Sequence, residues 1–185
     1  MQTTGHHACK KDGGATAVCN NGPFLSEYKR KENKLPFLGA GYYFWDDNIE
    51  MAKYWGYSHY DNSYYVIESR LNMPHDLLLD LVGNRQHMKY LVEIITRLKK
   101  EGHYRQHWQL SQGFEYLKWL NSRKPGIFPF TIIRGIDNNA RPQKQFTYYY
   151  VKNKQSFIDL NPRLVICLIE KNPVVLQSRH IVFES

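Results

Sequence analysis

The chain of 185 residues is poor in the features that cross-link a fold or carry it through a membrane. Its three cysteines, Cys9, Cys19 and Cys167, are odd in number, widely spaced and set in no metal-like pattern. They read as reduced thiols, which argues against a disulfide-stapled scaffold and suits a cytoplasmic protein. No apolar run approaches the roughly 18 residues that a membrane span requires, so no membrane partner is expected. The opening stretch, MQTTGHHACKKDGG, lacks the apolar core of a secretory signal, although delivery into a target cell by a route without one stays open. The length holds one sizeable core but not two, and residues 1–185 are expected to form a single domain.

What the chain does have is aromatic surface and positive charge. Aromatic residues make up 15 % of it, with 14 tyrosines, and tyrosine favours half-wet grooves in which a ring is packed and a hydroxyl is solvated. The formal net charge of +8 favours an anionic partner such as nucleic acid or a phosphate-bearing ligand.

The densest signal runs from Leu38 to Trp55, LGAGYYFWDDNIEMAKYW. Gly39 and Gly41 frame a turn in which the backbone can take positive φ or let another group approach closely. Tyr42 to Trp45 form a short aromatic run. Asp46, Asp47 and Asn48 then offer N-cap oxygens to a helix carrying Ile49, Ala52 and Tyr54 or Trp55. Tyr43 and Tyr54 are 11 residues apart. If the helix folds back beside the turn, their rings can face each other about 7 Å apart and hold one planar heterocycle.

Gly-x-Gly-Tyr-Tyr-Phe followed by Ala-x-Tyr resembles the second signature of the ADP-ribosyltransferase fold, in the His-Tyr-Glu branch that includes the poly(ADP-ribose) polymerases and small bacterial toxins. The resemblance implies that Tyr43 and Tyr54 sandwich the nicotinamide of NAD, with Gly41 in the wall of the site. It also calls for a histidine on an early strand. Gly5-His6-His7-Ala8-Cys9, then a short helix with Ala15 and Val18 closed by Gly22, is similar to the way such transferases begin. Counting back from Gly22 assigns the role to His7 rather than His6. His7 is then expected to bond the adenosine ribose, and the Ala8 backbone to grip the nicotinamide carboxamide. Cys9 stands where a hydroxyl is usual and is a weaker donor.

Downstream, residues 23–36 read as a charged, proline-bounded loop, and Tyr64–Leu71 as a strand. Leu77–Val82 reads as an apolar strand or helix start. Residues 90–98 and 114–120 carry apolar side chains at helical spacing, placing a helical insertion at about 84–124. His103 and His107 are four apart, but no third ligand accompanies them and no metal site is expected. From Ile127 the chain turns strand-like, through FTIIRG (130–135), FTYYYV (146–151), RLVICLIE (163–170) and HIVF (180–183). The fold expected is α+β, an ADP-ribosyltransferase-like split sandwich of two facing sheets around an NAD cleft.

The family chemistry needs a third group, usually Glu or Gln on a late strand, to accept a hydrogen bond from the ribose 2′-OH as positive charge develops. Alignment puts it at Val165, which cannot accept one. Glu170, at the other end of that strand, and Gln145 are the substitutes at hand. The resemblance implies NAD as substrate, an acidic macromolecular acceptor (protein or nucleic acid), and a toxin or defence role. Two rivals stay open. One is a catalytically silent NAD- or ADP-ribose-binding module. The other is a basic RNA-binding or RNA-processing domain using His6 or His7 and tyrosines as acid and base.

Overall fold

A computed structural model describes residues 1–29, 35–137, 144–151 and 155–185. Among these residues the chain is mixed α+β, with one large mixed sheet and four α-helices. Strand β1 (Gln2–Lys10) is buried without a break from Gly5 to Cys9, the pattern of a strand covered on both faces. It lies inside an eight-stranded sheet. On one side it pairs with β4 (Tyr64–Asn72), which pairs with the edge strand β10 (His180–Glu184). On the other side come β3 (Gly41–Asp46), β9 (Leu164–Leu168), β6 (Ile132–Ile136) and β5 (Leu78–Asp80), while β2 (Leu25–Ser26) pairs with the start of β3. Every pairing is antiparallel except β5 with β6.

Among the described strands, the main sheet is hydrogen-bonded throughout, with a narrow seam between β1 and β3. β1 and β4 pair along nine residues, from Gln2 opposite Asn72 to Lys10 opposite Tyr64. β1 and β3 pair at only two positions, Gly5 with Asp46 and His6 with Trp45. Beyond them β3 is held by β2 and β9 instead. The two halves of the sheet therefore join along β1 and β3 at these two rungs.

Strand alternation sends side chains to two different cores. One face carries Ala8, Trp45, Leu79, Ile133 and Cys167, packed with Ala52, Leu91, Phe114 and Leu117. Those four come from α2 (Ile49–His59), α3 (Arg85–Lys100) and α4 (Leu110–Arg123). The other face carries Phe44, Leu71, Ile132 and Ile166, and beside them Cys9 and Ile67 cover Val18 of α1 (Gly14–Asn21). Each fully buried Leu, Ile or Phe contributes about 1.5–3 kcal/mol, so the sheet is fastened from both sides. α2, α3 and α4 begin where side chains satisfy free N–H groups. The Asn48 side chain accepts from Met51 N, and that of Asn84 from Gln86 N and His87 N. Gln109 and Gln112 form a reciprocal box at α4.

FTIIRG does supply a strand, but only its Ile132–Ile136 part enters the sheet. FTYYYV leaves the main sheet altogether: β7 (Thr147–Tyr149) pairs with β8 (Phe157–Asp159) as a separate two-stranded unit. Part of the loop read over 23–36 becomes β2, and its residues 30–34 lie outside the described part.

Arg134 of β6 ties four strands together. Its Nε donates to Asp46 Oδ2 at 2.7 Å and its Nη1 reaches Asp80 Oδ1 at 3.4 Å, while Thr3 Oγ1 donates to Asp46 Oδ1. The Arg134 and Asp46 side chains are 12 % and 4 % exposed. Removing one partner of a buried pair leaves an uncompensated charge. Asp46→Ala is expected to lower stability by about 3 kcal/mol, read as a shift of the urea midpoint at unchanged slope.

Candidate functional site

The seam between β1 and β3 is occupied by the His7 ring. Its Nδ1 lies 2.7 Å from the Tyr43 carbonyl oxygen, and the Phe24 N–H donates to Nε2 at 3.2 Å. A single neutral tautomer, with Nδ1–H donating and Nε2 accepting, satisfies both contacts. Protonating Nε2 would set two N–H groups against each other. Burial, acting against the weaker raising effect of the Tyr43 carbonyl, pulls the pKa from 6.5 down to about 4. His7 is therefore a neutral strut that replaces ladder bonds where the strands part.

Register places the side chains. His6 lies opposite Trp45, so the next residue along, His7, emerges on the Phe44 face, with ring centroids 5.9 Å apart. Tyr43 emerges on the other face with Trp45. The structure thus joins His7 to the Tyr43 carbonyl and not to its phenol. The Thr4 carbonyl accepts from Asp47 N at 2.7 Å, which shows that even-numbered peptides of β1 point toward β3. Alternation turns the Ala8 N–H and C=O the same way, past the last β1–β3 rung at His6.

The glycine turn beside this seam is clamped from above. Gly39 has φ +84°, where a side chain would be strained. Tyr43 Oη accepts from Leu38 N at 2.7 Å and donates to Gly39 O at 2.6 Å. At the next residue, Glu115 Oε1 accepts from Ala40 N and Lys118 Nζ donates to Ala40 O, both at 2.7 Å. Glu115 and Lys118 also pair at 2.8 Å on α4. Burial, then the neighbouring Cys167 thiol, hold the Tyr43 phenol far above its ordinary range, so it is a neutral hydroxyl. Gly41 is required by close approach, since a Cβ there would run into Cys167 Sγ and the Leu168 carbonyl.

Tyr54 is not brought to Tyr43 in this structure. α2 turns Met51, Ala52 and Gly56 to the sheet, and Tyr54, about 200° around the helix from Ala52, is 59 % exposed. The slot expected from the spacing is thus not closed, because the helix uses Ala52 and Gly56 for its contact while Tyr43 is held at its hydroxyl. Gly56 permits that contact, as a Cβ there would overlap the Tyr64 ring.

Val165 lies in β9 opposite Trp45 and is 6 % exposed in the apolar core, so no acceptor stands at that position. β9 runs antiparallel to β3, with Leu168 opposite Tyr42. The exposed Glu170 therefore follows at the glycine-turn end of β3. Gln145 lies in a 3-10 turn, Lys144–Phe146, whose Phe146 carbonyl accepts from Leu160 N. Asn161, just beyond, binds Asn48 at the other end of β3. The topology separates the two candidates to opposite ends of one strand.

His6 heads a row across β1, β4 and β10. It donates to Glu68 at 3.2 Å, and His180 donates to the other oxygen of Glu68 at 3.1 Å. His103 and His107 fall in the stretch between α3 and α4 rather than on one helix, with His103 against Tyr116. Among the described residues no group of three ligating side chains could hold a metal ion. A shallow polar groove of about 440 Å³ is lined by Gln2, Thr3, Thr4, Glu68, Arg70 and Ser178. It borders the start of β1, away from Ala8.

The Glu115–Lys118 clamp was not legible beforehand, because an i, i+3 charge pair reads as a solvated helix face. Comparison with protein-family models, with curated proteins and with solved structures found no match in any of the three.

Because His7 is depressed when folded and near 6.5 when unfolded, the unfolded chain binds more protons between those values. Its contribution to stability is complete above pH 6.5 and is lost as pH falls toward 4. From pH 7 to pH 5 the loss is expected to be about 2 kcal/mol. Urea unfolding at the two pH values should show it, and His7→Phe should lack that part of the slope.

Proposed function

We propose that the chain is an NAD-dependent ADP-ribosyltransferase that cleaves NAD, releases nicotinamide and passes ADP-ribose to a macromolecular acceptor. The observation that carries this reading is the parted seam, with the Ala8 peptide edge beyond the last β1–β3 pair. A carboxamide presents one acceptor and two donors, the complement of the Ala8 N–H and C=O. Tyr43 and Gly41 wall the same end of β3, and Tyr54 would close over the nicotinamide by a shift of α2 or of its own rotamer. The ADP-ribosyltransferase-like split sandwich belongs to this proposal, with the two halves of the sheet parting at the seam.

In the reaction the bond between the ribose C1′ and the nicotinamide nitrogen breaks, and its electron pair leaves with neutral nicotinamide. The oxocarbenium-like carbon is taken by an acceptor nucleophile, which loses a proton. His7 Nε2 is already an acceptor, and a ribose hydroxyl would take the place of the Phe24 N–H there. Staying neutral, His7 adds no positive charge to a site where positive charge develops. For the 2′-OH, Glu170 is the better placed of the two candidates, because it follows β9 at the glycine-turn end where Ala8 and Tyr43 lie; Gln145 is at the opposite end. A toxin or defence role rests on the resemblance of the motifs.

The buried Val165 favours one second reading, a silent module that binds NAD or ADP-ribose without turnover. Nicotinamide release by purified protein, with and without acceptor, separates the two. The transferase reading expects release that falls about 10²-fold or more in Glu170→Ala and is lost in His7→Ala, each checked for folding by its melting curve. NAD protecting the protein from heat with no release would support the silent module. Neither protection nor release would refute both.

A further inference from the structure

The helical insertion carries a row of rings in contact with one another. Tyr104 and Trp108, Trp108 and Tyr116, and Tyr116 and Trp119 each have ring centroids 5.5 Å apart. His103 stacks on Tyr116 at 6.3 Å. A cation closes each end of the row. Lys99 Nζ lies 5.4 Å from the centre of the Tyr104 ring, and the Arg123 guanidinium lies 5.8 Å from that of Trp119. Tyr104 is buried against Gly113, and Trp108 and Tyr116 pack on the apolar core. Trp119 lies beyond that core and is 51 % exposed; His103 is exposed as well.

Residues 97–124, all of them described, hold an excess of positive charge. Their two carboxylates are already taken, Glu101 by Arg97 and Glu115 by Lys118, each at 2.8 Å. Lys99, Lys100, Arg105, Arg123 and Lys124 are exposed and have no carboxylate partner among the described residues. Lys99 and Arg123 stand over the end rings themselves, and Lys124 caps α4 one residue further on. Rings and unpaired cations on one surface match a strand whose bases stack and whose phosphates pair. An acidic peptide would use the cations and leave the indole unused, and a duplex would keep its bases inside. We infer that this surface binds single-stranded nucleic acid, with Trp119 and His103 as its stacking faces. Trp119 stands only about 40° around α4 from Glu115, which holds the Ala40 N–H at the glycine turn. A strand on Trp119 therefore lies beside the clamp on that turn. That the bound strand is also the ADP-ribose acceptor rests on the transferase reading; binding itself does not.

The test is fluorescence anisotropy of the full chain with labelled single-stranded RNA and DNA of about 12 nucleotides, with the matching duplex and polyglutamate as competitors. Both single strands are expected to bind, and the two competitors to be about tenfold weaker. Trp119→Ala is expected to lose about tenfold in affinity, while Trp119→Phe keeps a ring and should keep most of it. Lys99→Gln, Arg123→Gln and Lys124→Gln together should flatten the fall of log affinity with log salt by about 2. These three side chains are exposed, so the charge variant decides the matter even where a melting curve shows Trp119→Ala to be unfolded. No binding by the wild type, or equal binding by folded Trp119→Ala, would overturn the inference. So would equal loss in Trp119→Phe and Trp119→Ala, an unchanged salt slope in the charge variant, or a competitor as strong as the single strand. Binding without nicotinamide release would leave this surface standing and overturn the transferase reading; release without binding would do the reverse.

Discussion

A neutral imidazole between two strands organises this protein. Antiparallel strands that part must leave peptide groups without ladder partners, and such groups are costly when buried. His7 resolves this by giving its Nδ1–H to the Tyr43 carbonyl and taking the Phe24 N–H at Nε2. The same ring thereby ties together β1, β3 and the segment entering β2. Burial keeps the ring uncharged, and only the uncharged form has one donor and one acceptor to offer. The gap it maintains is what leaves the Ala8 edge beyond the shared ladder.

The other wall of the seam depends on a different device. A turn with Gly39 at positive φ has little to hold it by itself. Here the N–H and C=O of Ala40 are taken by Glu115 and Lys118 of α4, and the Tyr43 hydroxyl accepts from Leu38 N and donates to Gly39 O. The helical insertion thus reaches the glycine motif directly. A change in the packing of α4 would be felt at Tyr43 through these bonds, which makes α4 a mechanical part of the site and not merely a cover for the apolar face.

Much of this was legible in the chain. Gly39 and Gly41 announced a turn and a close approach, Asp46, Asp47 and Asn48 together announced the start of α2, and the spacing of Leu91, Leu98, Phe114 and Leu117 announced two helices with buried faces. The β1–β3 seam was not legible, because pairing between strands distant in sequence depends on register that no local pattern records. The face on which His7 emerges depends on the same register. The Tyr43–Tyr54 spacing allowed a closed slot but could not show that Ala52 and Gly56 would take the helix contact. FTYYYV read as a strand because aromatic and β-branched residues favour strands wherever they lie; its exposure, among the described residues, goes with pairing to β8 outside the main sheet.

The central claim is that the parted edge at Ala8 receives a nicotinamide carboxamide. The direct measurement is the backbone amide spectrum of ¹⁵N-labelled protein titrated with NAD. The account predicts that the Ala8 amide moves most, together with Gly41 and Tyr43 at the neighbouring turn. An Ala8 amide that stays in place while NAD reaches saturation would contradict it.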